Sequence, residues 1–472
     1  MATHPLFLAG KETPTSATFR QRSVYDGHDL GDVCLAGKGD AAAALSAAWH
    51  ARMPMSRLSS GARESVLRRA AEAMLRQQEE IAQTITAESG KPISLARGEV
   101  SRAVTTFELS AEEAKRNAGE VVALDTLPAS EGRIGLVRRF PRGTVIGITP
   151  FNFPINLVAH KVAPALAAGC PIILKPAPQA PLTALMLGRI LMQVGLPEGA
   201  FSILPCANDV AESLVRDDRA ATVSFTGSAK VGWYLAGIAA KKRVVLELGG
   251  NASVIVEPDA DLEAAAQRIV TGAFANAGQV CIKVQRVFAH EKIADRLLAR
   301  LLERTAQLGI GDPTHEDVLV GPLIDENNAL RVEGWVQEAV KQGANVLSGG
   351  VRDGLFYRPT WLTDVPETAK VSCEEVFGPV TVFARYQDFE AALNAANTSE
   401  FGLQAGVFTH SLPRAMQAFE TLEVGGVILN DVPTYRVDHM PYGGVKGSGL
   451  GREGPRYAIE QFTEPRLLAI KP

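Results

Sequence analysis

The chain has 472 residues, 46% apolar and 21% charged, with a formal net charge of −4. That length exceeds one small core and implies two or three domains, and the slight acidity offers no concentrated basic surface for nucleic acid or an anionic membrane. The five cysteines (Cys34, Cys170, Cys206, Cys281 and Cys373) are odd in number and contain no C-x-x-C pair, which suggests neither a disulfide framework nor a metal site. No run is apolar for long enough to cross a bilayer, and the first residues lack a basic targeting segment, so a cytoplasmic protein with reduced thiols is expected.

Residues 1–39 read as short strand-like runs split by Gly, Pro and Asp. The pattern turns helical from Asp40 to His50. A long helix is predicted over 62–89, with apolar positions at Val66, Leu67, Ala70, Met74, Ile81 and Ile85. Gly90 and Pro92 stop it: Gly suits a left-handed cap and Pro cannot continue a helix. Another helix is predicted over 94–118. Residues 121–124 and 135–139 read as two strands of an extended hairpin, either a simple surface hairpin or an excursion towards another subunit.

From 144 to 248 strands and helices alternate, which argues a parallel sheet with helices on both faces. Ligands bind such sheets beyond the carboxyl ends of the strands. A second alternating series runs from Ala252 to about Gly444, and 462–470 is a β-prone tail. No internal repeat is evident.

Several motifs fall at the predicted strand ends. Glu247 closes an apolar strand and is followed by paired glycines; a carboxylate there is costly to bury unless paired or functional. Cys281 follows a Gly-Gln turn; by itself a buried Cys is more often core packing than a nucleophile. In Thr149-Pro150-Phe151-Asn152-Phe153-Pro154 the Asn offers side-chain donors, with a helix cap as the competing role. Lys175 emerges from a buried strand and can reach a cofactor or simply solvent. Gly227-Ser228, with Gly232 one turn on, suits a phosphate at a helix start, although it is not a G-x-G-x-x-G pattern.

Glu247-Leu-Gly-Gly-Asn251 followed by Gly278-Gln-Val-Cys281 resembles the two signatures of the aldehyde dehydrogenase superfamily, and the resemblance continues in order along nearly the whole chain. It implies an α/β fold with a Rossmann-type cofactor domain (1–119 and 143–250), an α/β catalytic domain (251–444), a small β oligomerisation arm (120–142 and 462–472), and a return of 445–461 to the cofactor domain. It implies NAD(P)-dependent oxidation of an aldehyde to an acid. Cys281 would attack the aldehyde to give a thiohemiacetal. Hydride would pass to nicotinamide, and Glu247 would activate the water that hydrolyses the thioester. Asn152 and the Cys281 N–H would form the oxyanion hole, and Lys161 and Glu453 would relay protons.

The resemblance assigns Thr149, Pro150, Lys175, Gly227, Ser228, Gly232, Leu248, Glu375 and Phe377 to cofactor binding. It assigns Phe151, Phe153 and Tyr442 to the substrate. Pro178 stands where many NAD-preferring relatives carry Glu, which leaves NADP open. The late loop looks most like the lactaldehyde and non-phosphorylating glyceraldehyde-3-phosphate dehydrogenase branch. His160, Arg436 and His439 would then line a polar tunnel for a small hydroxylated or anionic aldehyde, unless Arg436 instead bonds backbone at a subunit contact. A homodimer or homotetramer is implied, with the 120–142 hairpin and the 462–470 strand expected to pair across subunits. Two alternatives are a CoA-acylating dehydrogenase, which the presence of Glu247 disfavours, and a cysteine hydrolase or acyltransferase without nicotinamide.

Overall fold

A computed structural model describes residues 2–116 and 119–471. The alternating region builds an eight-stranded sheet. Its five central strands, Thr144–Ile148, Ile172–Lys175, Phe201–Ile203, Ala220–Thr226 and Arg243–Glu247, run parallel. Leu6–Leu8 and Lys11–Thr13 extend one edge antiparallel, and Gly449–Leu450 caps the other. Both ends of the chain thus contribute to this sheet. Consecutive side chains of a strand enter opposite cores. Val145, Ile172 and Leu174 pack towards the helices Ser60–Arg76, Ile93–Arg116 and Asn156–Ala168. Ile146 and Ile173 pack towards Lys38–Arg57 and Ala229–Ile238. Burial on both faces explains why Thr144–Ile148 is almost uniformly apolar.

After Thr144–Ile148 the chain adds two strands on one side, then crosses to place Ala220–Thr226 on the other. The switch point therefore opens beyond Ile148 and Thr226, where ligand crevices form. A second sheet of seven strands, centred on Val284–His290 and Ala252–Val256, follows the same logic. Among the described residues no helix is long and apolar enough to cross a membrane.

Two expectations are corrected. The helix predicted over 62–89 is two helices, Ser60–Arg76 and Gln78–Ser89, broken at Gln77 with φ −104° and ψ 15°. The buried positions Met74 and Ile81 stay in phase across the break, which contains neither Gly nor Pro, so the pattern carries no sign of it. Gly90 does cap the second helix at φ 71°, its N–H donating to the Thr86 carbonyl. The predicted end of the next helix at Ala118 lies outside the described residues.

The hairpin and tail, expected to pair across subunits, pair within the chain. Thr463–Ile470 runs antiparallel to Ile134–Pro141, with Glu120–Ala123 on the other side. The tail leaves the Pro455–Phe462 helix at the root of the hairpin, where the Arg142 N–H donates to the Phe462 carbonyl at 3.0 Å, and this sets the register.

One capping arrangement joins distant parts of the chain. The buried Glu88 carboxylate, on Gln78–Ser89, accepts from the Leu182 and Thr183 N–H groups at 2.7 and 3.0 Å, at the start of the Leu182–Met192 helix.

Candidate active site

Cys281 is positioned by a left-handed turn. After the Leu262–Phe274 helix, Asn276, Ala277 and Gly278 all have positive φ (55°, 53° and 67°). Such angles are strained for residues other than Gly and cluster at functional sites. A Cβ on Gly250 would lie 2.3 Å from the Cys281 carbonyl, and one on Gly249 would lie 2.3 Å from Glu375. The glycine pair after Glu247 is thus what lets the three segments meet.

The thiol forms a wall of two cavities. One, of about 310 Å³, is lined by Arg102, Phe153, Leu157, Arg436 and Tyr442. The other, of about 550 Å³, is lined by Asn152, Gly227, Ser228, Glu247, Glu375 and Phe377. The second continues into a groove of about 560 Å³ holding Thr149, Pro150, Lys175 and Pro178. This groove lies at the switch point of the parallel sheet.

The structure brings most of the predicted residues together, but not all in the expected roles. Asn152 is not a helix cap: its Nδ2 donates to the Gln279 carbonyl at 2.9 Å, beside Cys281. Glu99 performs the capping, its Oε1 accepting from the Ile155 and Asn156 N–H groups at 2.9 and 3.1 Å. Gly232 is required by packing, since a Cβ there would lie 2.3 Å from the Leu248 side chain. Phe151 lines the groove side, edge-on to Phe377 at 5.9 Å, whereas Phe153 lines the smaller cavity under the Lys91 ammonium. His160 does not line the tunnel: it is fully buried behind Arg436. His439 is exposed.

A buried charge cluster backs the thiol. Lys161 Nζ donates to Thr226 at 2.8 Å and to Ser224 and Glu453 at 3.1 Å. Arg436 lies 3.4 Å from the other Glu453 oxygen, and its guanidinium stacks on the Tyr442 ring at 3.7 Å. Burial opposes the charge on Glu453, but Lys161, His160 and Arg436 outweigh it and hold the group well below the usual range. Glu247 goes the other way: burial and repulsion from Glu453 raise it well above the usual range, and neither of its oxygens has a hydrogen-bond partner among the described residues. Two carboxyls pushed apart in this way suit one ion and one proton carrier. Asp438, absent from the sequence-based set, accepts from Arg102 at 2.7 Å and lies 2.9 Å from His160 Nε2. Its partners are 278 or more residues away, so local pattern gave no signal. Glu375 accepts from the Gly250 N–H at 3.1 Å, and burial pushes it up to about 7.

Cys281 Sγ lies 3.2 Å from the Tyr442 hydroxyl. Burial pushes the thiol up to about 11, and the Tyr442 contact opposes that rise. Tyr442 itself is held protonated by burial and by Cys281, so it is the donor to a thiolate. Tyr442→Phe should therefore move the pH profile of Cys281 alkylation further alkaline. A bond to a charged acceptor is worth about 1.5–3 kcal/mol, or at least about one pH unit. An unchanged profile would mean that the contact does not assist ionisation.

Comparison with known proteins accords with this geometry. The aldehyde dehydrogenase family model matches residues 12–468. A 3-sulfolactaldehyde dehydrogenase of Priestia aryabhattai is 44% identical over 466 residues, covering 98% of this chain and 97% of the relative. The structure of aldehyde dehydrogenase 21 from Physcomitrella patens, in complex with the reaction product succinate, superposes with a TM-score of 0.97 at 44% identity, covering 99% of this chain and 98% of that one. Glyceraldehyde-3-phosphate dehydrogenase GapN from Methanocaldococcus jannaschii, complexed with NADP, gives a TM-score of 0.93 at 35% identity over 97% of this chain and all of its own. With the family model spanning nearly the whole chain and Cys281 set between two cavities, this protein belongs to the aldehyde dehydrogenase family.

Proposed function

We propose that this enzyme oxidises a short aldehyde carrying an anionic group to the corresponding acid, with NADP or NAD as hydride acceptor. The observation that carries the reading is the position of Cys281, with the nucleotide-type groove on one side and an Arg436-walled cavity on the other. Arg436 is 7% exposed, and its Nε has no partner among the described residues, which suits an anion at the far end of a short substrate. Relatives named for sulfolactaldehyde and for a succinate product are consistent with that chemistry.

The residues fit a nicotinamide dinucleotide. Lys175 is buried at a strand end, Ser228 opens a helix without a side-chain cap bond, and the half-buried Glu375 carboxyl suits a ribose hydroxyl. The bound cofactor supplies a hydride acceptor. In this reading 1–119 and 143–250 hold it, with 445–461 returning to the same unit, and 251–444 presents the thiol. Cys281 attacks the carbonyl carbon, and Asn152 Nδ2 with the Cys281 N–H holds the oxyanion. After oxidation to the thioester, Glu247 takes a proton from the attacking water. Lys161, Glu453 and Arg436 set the electrostatics that let Glu247 release it.

Initial rates over short aldehydes with and without a carboxylate, sulfonate or phosphate, with each cofactor, test the reading. Anionic aldehydes should be preferred. NADP should be used measurably because Pro178 places no carboxylate against a 2′-phosphate. A preference for NAD above about a thousandfold, roughly 4 kcal/mol, would mean that another group repels the phosphate.

The arm's open strand edges and the exposed Val121, Leu136, Leu467 and Leu468 support a dimer or a dimer of dimers. Light scattering should give twice or four times the chain mass, and a monomer at micromolar concentration would refute the assembly. Five free cysteines suit a reducing compartment, and the cytoplasm is the one proposed.

A further inference from the structure

A chain with a net charge of −4 gathers seven arginines around one cavity of about 440 Å³. Arg52, Arg57 and Arg63 come from the helical layer, Arg138, Arg139 and Arg142 from the hairpin, and Arg466 from the tail. No residue is shared with the cavities around Cys281 or with the groove. Gly143 and Pro171, which also line it, precede the strands Thr144–Ile148 and Ile172–Lys175. The cavity therefore lies at the amino ends of the sheet, opposite the active site.

The charge is scarcely neutralised. Among the described residues a single ion pair reaches the seven, Arg142 to Glu464 at 3.2 Å. Arg63 is fixed by the Ser56 and Ala167 carbonyls at 3.1 and 3.3 Å, and its buried Nε has no partner. Arg139 is fixed by Thr463 and the Glu460 carbonyl. Arg138 and Arg466 stand directly opposite each other in the antiparallel pair, and both lie over the Phe140 ring, at 5.7 and 4.2 Å. Like charges at directly opposed positions destabilise a sheet. The start of the Ser60–Arg76 helix, at the rim, adds further positive potential. Arg63 and Arg139 are held by protein acceptors, while Arg138 and Arg466, without an ion pair among the described residues, keep forks that match tetrahedral oxyanions in a small-molecule-sized space.

We propose that this cavity is a binding site for a compact phosphorylated small molecule, distinct from the catalytic site. The bound anion would tie the tail and hairpin to the helical layer and relieve the opposition of Arg138 and Arg466. Pyrophosphate is the probe, with inorganic phosphate as the smaller comparison and sodium chloride at matched ionic strength as the control.

Calorimetry on the full-length enzyme should show saturable pyrophosphate binding with a dissociation constant below roughly 1 mM. The melting temperature should rise in parallel, as ligand binding to the folded state requires. The Arg138→Gln, Arg466→Gln double variant should weaken binding by about tenfold or more. Without ligand it should melt above the wild type, because the repulsion is gone; a purely structural role for these arginines predicts the reverse. Turnover without added pyrophosphate should be unchanged. Absence of saturable binding, or a thermal shift reproduced by sodium chloride, would overturn the proposal. So would loss of the oligomer in the double variant with no pyrophosphate binding by the wild type, since the cavity would then be filled by a second copy.

Discussion

Glu247→Gln should give a burst of reduced cofactor close to one per active site, followed by steady turnover about a hundred- to ten-thousandfold slower, the range of general-base assistance. Cys281→Ala should give no burst and no turnover. The two outcomes differ because the thiol is needed before oxidation and the carboxyl afterwards. The structure sharpens the expectation. Glu247 has no hydrogen bond to Cys281, whose Sγ partner is Tyr442. Burial and Glu453 raise Glu247 well above the ordinary carboxyl range, which disfavours the charged form that a base needs. Deacylation should therefore accelerate as pH rises through that elevated value, and the limb should vanish in Glu247→Gln. Hydroxylamine, which needs less activation than water, should partly restore turnover in the variant. Rapid-mixing absorbance decides the matter: a folded, cofactor-binding Glu247→Gln without any burst would assign the residue to thiol activation instead.

Arg436→Met should lower kcat/KM for an anionic aldehyde by about a hundred- to thousandfold, or roughly 3–4 kcal/mol, the cost of leaving an anion without its buried partner. A neutral aldehyde of the same length should lose far less. Because Arg436 also faces Glu453 and His160, the contrast between substrates is the informative quantity. Equal losses on both would place the role of Arg436 in the charge cluster, not at the substrate. Arg436→Lys keeps the charge but loses the fork and the stacking on Tyr442, so it should recover only part of the activity.

Much of this site was legible because its residues sit in short contiguous motifs. Strand ends gave Asn152, Lys175, Gly227 and Glu247, since alternating strands and helices place their connecting loops along one edge. The glycines after Glu247 read only as the break that ends a strand, and close approach to Cys281 and Glu375 is their actual reason. What stayed hidden depends on distant partners. Glu99, Arg102 and Asp438 belong to none of the motifs found in the sequence, although each meets a partner on a remote segment. His160 was expected in the tunnel from the resemblance; it shares a helix face with Asn156, which lines the cavity, but sits one turn deeper, behind Arg436. The break at Gln77 left the apolar phase intact and so left no trace.

The carboxylates of Glu88 and Glu99 bear on the order in which the molecule assembles. Helix starts expose four N–H groups that must find acceptors when buried. The helices Leu182–Met192 and Asn156–Ala168 have no side-chain cap of their own; their acceptors come from 94 and 56 residues upstream. During synthesis both acceptors leave the ribosome before the helices that need them, so the leading helical layer can be waiting as a template. Refolding from denaturant lacks that sequence of events and must close both long loops at once, which slows formation of non-local contacts. A circular permutant that moves 1–119 to the end of the chain, through a linker long enough to span the original ends, reverses the order of emergence. Its yield on translation should drop towards that of refolded wild type.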